Sequence, residues 1–153
     1  LDAELKKLSL SHRGADPVNE NEVLSLVSRT AEIKPWEFVD AFASRNGKRC
    51  IYLMNRMDAS PFALLAMCTT RIRELITVKA LSERGQKAMC SKVLKMPDWR
   101  LKNHYACARG FTMHELICAL CSARDAEQDM KSGSDQMQSF VSWFLEVCKK
   151  ESL

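Results

Sequence analysis

Three acids alternate in the stretch ARDAEQDMKSG, residues 123–133: Asp125, Glu127 and Asp129. Acids at every second position suggest a calcium loop, but an EF-hand loop needs a glycine at its sixth position and a bidentate glutamate at its twelfth. Met130 and Gln136 stand there instead, so that chemistry fails. Zinc is the next candidate, because His104, Cys107, His114, Cys118 and Cys121 lie close in sequence. Cys118-x-x-Cys121 has zinc-knuckle spacing, yet such pairs usually sit on turns and no second C-x-x-C follows. A thioredoxin-like dithiol wants a βαβ context that the sequence lacks. There is no glycine-flanked serine elbow, no phosphate loop and no dinucleotide fingerprint. No catalytic residue, cofactor site or metal ligand is therefore assigned.

The acids must then be explained by the element that carries them. ARDAEQDMKSG reads as the last turns of a helix stopped by Gly133, where the dipole favours Lys131 over carboxylates. On the helical wheel Glu127 lies about 20° from Leu116 and Leu120, inside the apolar arc, while Asp125 and Asp129 lie on the polar side. A buried carboxylate needs a cation. Arg73, placed between Phe62 and Ala66 on the wheel of the longest helix, faces inward by the same reasoning. The expectation is a Glu127–Arg73 pair across two packed helices, shared with Asp40 at the edge of the WEFVDAF stripe. The alternative is a Glu127 that reaches water.

The helices themselves are marked by their ends. Most of the five glycines and four prolines stand where a helix should start or stop. Asn19 with Glu22 opens ENEVLSLV, Pro35 opens PWEFVDAFAS, and Ser60–Pro61 opens the longest segment, which runs to Gly85. MCSKVL makes a short helix, Pro97 opens one ending at Gly110, Thr112 and Glu115 form a capping box, and Ser134 or Asp135 caps the last helix. No stretch alternates with period two. The fold expected is an all-α bundle of about seven helices. PFALLAMCTT carries no charge, the sign of a helix surrounded by others. In the last helix Met137, Phe140, Val141, Phe144, Leu145 and Cys148 share a face, and Trp143 and Val147 widen it to about 200°. That is more than one neighbour covers, so a second contact is expected, within the domain or against a partner chain; the Trp143 and Val147 edge is the candidate partner surface.

Composition narrows the class. The chain has 153 residues, 46% hydrophobic and 27% charged, the mixture of an ordinary globular domain. No apolar run approaches the roughly 20 residues that span a bilayer. LDAELKKLSL lacks the marks of a signal peptide and reads as a piece cut inside a helix. The net charge of +4 reads as scattered along the chain, without a polybasic stripe. Seven cysteines, an odd number, fit core thiols in a reducing cytoplasm. DWRLKNHYACAR, a basic helix with aromatics, can touch nucleic acid, although such a face is more often simply solvated.

ELKKLSL, the EVLSLV helix, PWEFVDAF, SPFALLAMCTTRIRELITVKAL, GFTMHELICAL and AEQDMKSG follow one another in an order and spacing that resemble the C-terminal part of the delta subunit of bacterial DNA polymerase III. Arg73 and Lys79 on the long helix, and Glu127, Lys131 and Gly133 near the end, fall where that family has an arginine, a lysine and an acid–lysine–glycine series. The resemblance implies that residues 33–153 form a helical collar domain and 1–32 the tail of a preceding small, lid-like helical domain of AAA+ type. It implies a clamp-loader subunit that assembles with other clamp-loader subunits through the collar. The sliding clamp would be engaged by an N-terminal domain missing from this sequence, and DNA only indirectly. Neither catalysis nor a membrane is implied for this part. A basic helical DNA-binding domain and a zinc or thiol helical protein are the competing readings.

Overall fold

The computed structural model describes residues 34–149, which fall in one compact unit beginning at Lys34. The helices expected over ELKKLSL and ENEVLSLV, with the Asn19–Glu22 cap, lie outside the described residues. Seven α-helices follow in order: α1 Pro35–Ala43, α2 Gly47–Met54, α3 Pro61–Glu83, α4 Cys90–Leu94, α5 Asp98–Ala108, α6 Met113–Lys131 and α7 Gln136–Cys148. A single 3-10 turn, Lys87–Met89, leads into α4, and the described residues contain no strand.

The ends are fixed by the chemistry that marks them in the sequence. Ser60 accepts a hydrogen bond from the Ala63 amide at 3.2 Å ahead of Pro61, and Asp135 accepts one from the Gln138 amide at 2.8 Å. Thr112 and Glu115 form the reciprocal capping box. Gly85 and Gly133 take the left-handed conformation that stops α3 and α6. Helix α2 has no counterpart in the sequence reading. Its cap is Asn46, which accepts from the Arg49 amide at 3.0 Å, but the following Gly47 makes the pair look like a turn.

Helix α3 occupies the centre, as its uncharged first half requires. It packs against α1, α4, α5, α6 and α7 and buries Leu64, Leu65, Cys68, Ile72, Leu75 and Val78. The second face demanded by α7 is met inside the domain: α7 touches α2, α3 and α6. Five aromatics join α1 to α7. Phe38 meets Phe144 edge-on at 5.9 Å, Phe42 stacks on Trp143 at 5.6 Å, and Phe140 lies between. Such pairs contribute about 0.5–1.5 kcal/mol each beyond the area they bury.

Candidate functional site

The expected pair does not form. Arg73 and Glu127 face one cleft of about 320 Å³ between α3 and α6, walled by Phe62, Leu120 and Arg124, but both are exposed. Glu127 instead binds Lys131, one turn along its own helix, at 2.6 Å. The reason lies in which residues make the seam of α6. Leu116, Ala119, Ala123, Ala126 and Met130 are the buried stripe, and Leu120 is at its margin. Alanines allow the close approach, so the arc is centred away from the leucines, and Glu127 falls on its rim.

A buried polar cluster does exist, built from different partners. Arg71, two positions before Arg73, is among the two buried charged or polar residues of the described chain, with His104. Its guanidinium binds Asp40 at 2.8 Å and Glu74 at 3.2 Å. Glu74 also meets His104 Nε2 at 2.9 Å, while His104 Nδ1 lies 3.2 Å from the Arg100 carbonyl, and Asn103 donates to Asp40 at 3.2 Å. Asp40, expected to share the Arg73–Glu127 pair, has Arg71 as its cation instead. The cluster ties α1, α3 and α5 together. Burial pushes the Glu74 carboxyl upward, but the His104 hydrogen bond and the charges of His104, Arg71 and Arg100 outweigh it and hold it below the ordinary value.

A second polar knot lies at the other end. Helix α1 ends with the Asn46 amide bonded to the Ala41 carbonyl and the Arg45 amide to that of Phe42, which puts Arg45 in the left-handed conformation at φ 56°. Glycine is usual there. The side chain explains the exception: it pairs with Glu115 at the start of α6, stacks on Phe111 at 4.0 Å, and donates to the carbonyls of Val147 and Lys149. Burial raises the Glu115 carboxyl, but the Thr112 amide and Arg45 together hold it below its ordinary value. Trp143 is buried in the same region, donating to the Ala119 carbonyl at 3.3 Å and the Ser122 hydroxyl at 3.1 Å. It is thus a core residue and not a free partner surface; Val147 is half-buried beside it.

The thiols do not gather into a metal site. His104 is buried on α5, His114 and Cys118 touch at 3.6 Å on the surface of α6, and Cys121 is exposed; among the described residues no group of three ligands is found. Charge, on the other hand, is segregated rather than scattered. From residue 84 to 109 seven Lys or Arg stand against Asp98 alone, and all seven are exposed; from 110 to 149 six acids stand against three cations. On the basic side Trp99 is 72% exposed, near exposed Met89 and Val93 in sequence. This segregation is readable in the sequence once it is divided by helix.

The described residues thus form an all-helical bundle with a long central helix and two polar knots. A family model described as the DNA polymerase III delta subunit, C-terminal domain, matches residues 32–147. The chain belongs to this family. The bundle is similar to the Bacillus subtilis DNA clamp loader delta protein (YqeN), with a TM-score of 0.63 and 20% identity, covering 97% of this chain and 45% of that one. At that identity the likeness concerns the fold, and the chain spans less than half of that protein. No curated protein matches the sequence. In this chain the two knots set the relative positions of the helices: one joins α1, α3 and α5, the other the end of α1 to α6 and α7. No helix among the described residues is long and apolar enough to cross a membrane.

Proposed function

We propose that this chain is the assembly part of a clamp-loader delta subunit. Residues 33–153 would act as the collar that holds the subunit among other clamp-loader subunits in the cytoplasm, and residues 1–32 as the tail of a preceding lid-like domain. Contact with the sliding clamp then falls to a region outside this sequence. The observation that carries the reading is the family match over residues 32–147. The test uses the full subunit. Deleting the region from residue 33 onward should abolish its incorporation into the loader, read by co-purification and sedimentation, while leaving binding to the clamp intact. Unchanged incorporation would sink the reading.

The exposed Trp99, in a segment where seven exposed cations stand against Asp98, favours a second reading, direct contact with DNA. Cations track the phosphates and an exposed aromatic offers a stacking platform. Binding of a primed oligonucleotide should then weaken steeply with salt and weaken further in Trp99→Ala. A flat salt dependence, or equal binding by the variant, rejects it.

A further inference from the structure

The C-terminal ends of α3 and α5 flank an open cavity of about 340 Å³, at the lower end of the range of roughly 300–1,000 Å³ for small-ligand sites. Three cations line it: Lys79, Lys87 and Arg109. Lys79 is accounted for by the fold, since it reaches the Ala108 carbonyl at 3.5 Å and neutralises the end of α5. Lys87 and Arg109 are not. Neither makes a side-chain hydrogen bond or ion pair to a described residue; Lys87 only overhangs the Tyr105 ring at 5.9 Å. The one carboxylate in the lining, Glu83, lies 3.8 Å from Lys79, a long and exposed pair. Tyr105 is fixed in place by donating to the Lys87 carbonyl at 3.2 Å. Ser82 also lines the cavity, and its hydroxyl is one of only two buried side-chain polar atoms among the described residues that lack a partner. A buried hydroxyl without a partner costs about 1–3 kcal/mol, and a turn about its Cα–Cβ bond can bring it an acceptor.

We propose that this cavity binds a phosphate group, with Lys87 and Arg109 supplying the charge and Ser82 a hydroxyl donor. The phosphate can belong to a free anion, a nucleotide or a polynucleotide backbone; the lining recognises the group common to all three. The proposal does not depend on the assembly reading, because it concerns ligand binding by the isolated chain.

The experiment titrates the 153-residue chain with inorganic phosphate, a nucleoside triphosphate and a single-stranded oligothymidylate, following amide NMR shifts. Saturable shifts at Ser82, Tyr105 and Arg109 are expected with at least one probe, and the probe that saturates first identifies the source. Replacing both Lys87 and Arg109 by glutamine should weaken that probe about a hundredfold or more, since two charge-assisted hydrogen bonds are lost. Both side chains are exposed, and an unchanged melting temperature checks that the variant is folded. Ser82→Ala is the second arm: it should weaken the same probe while leaving the free protein at least as stable. No saturable shift with any probe overturns the proposal. Binding that survives the double variant overturns it too.

Discussion

Arg71→Met separates two readings of the polar core that differ by two residues. The Arg71 side chain is 9% exposed and holds two carboxylates, Asp40 at 44% exposure and Glu74 at 19%. Breaking a fully buried pair costs about 3–5 kcal/mol. Asp40 is screened by water and regains hydration when released, so its share shrinks toward that of a surface pair, below about 1 kcal/mol. Glu74 keeps His104 as a partner. The expected loss is therefore about 2–3 kcal/mol. For a domain of this size each kcal/mol moves Tm by roughly 3–5 °C, which gives a drop near 10 °C by calorimetry. Arg73→Met, at the exposed cleft, should stay within about 0.5 kcal/mol of wild type. A double-mutant cycle with Asp40→Asn should return a coupling of under about 1 kcal/mol, because that partner is exposed. If Arg73→Met proved as costly as Arg71→Met, or Arg71→Met left Tm unmoved, the assignment of the buried cation would be wrong.

Glu127→Gln removes only an exposed pair one turn long, and should shift the urea midpoint by no more than about 0.5 kcal/mol allows. Trp143→Phe keeps the aromatic stack on Phe42 but removes the indole donor to the Ala119 carbonyl, which keeps the Ser122 hydroxyl at 3.2 Å, and leaves a gap beside Ser122; a loss of about 1–3 kcal/mol in chemical denaturation is expected, and a neutral result would mean the indole is not packed as described. Glu74 and Glu115 are both held below the ordinary carboxylate value of 4.5 in the folded state. The unfolded chain thus binds more protons near that pH, so the stability they supply is present above about 4.5 and lost as pH falls through their folded values. Urea midpoints of wild type and of a variant carrying Glu74→Gln and Glu115→Gln should converge as pH drops below that range; a gap that stays constant contradicts the sign.

How much of this was legible depends on what each residue says locally. Helix ends were readable because Ser60, Thr112, Glu115 and Asp135 act within one turn of themselves, and the central place of α3 because PFALLAMCTT carries no charge. Helix α2 was lost because Asn46 and Gly47 favour a turn as readily as a cap. The polar core was legible in kind only. A wheel weighted by leucines centres α6 on Leu116 and Leu120, whereas the packing is decided by Ala119, Ala123 and Ala126, whose small size is a geometric fact that hydrophobicity understates. On α3 the wheel is centred on Phe62 and Ala66, whereas the buried face is Leu64, Leu65, Cys68, Ile72, Leu75 and Val78, which turns Arg71 inward and Arg73 outward. The breadth of the apolar arc on α7 shows that a second neighbour is needed, but not that α2 and α3 supply it inside the domain, so Trp143 reads as a candidate partner surface. The basic cavity escaped because Lys79, Lys87 and Arg109 come from different elements.

Arg45 has a consequence in time as well as in place. Its side chain closes contacts 70 and 104 residues away along the chain, to Glu115 and Lys149, from a backbone conformation that costs an arginine about 1–2 kcal/mol. Contacts of such long loop closure form after the local helices have condensed. The arginine therefore contributes little to how fast the bundle folds and much to how slowly it opens, acting as a clasp that must be undone before α1, α6 and α7 can part.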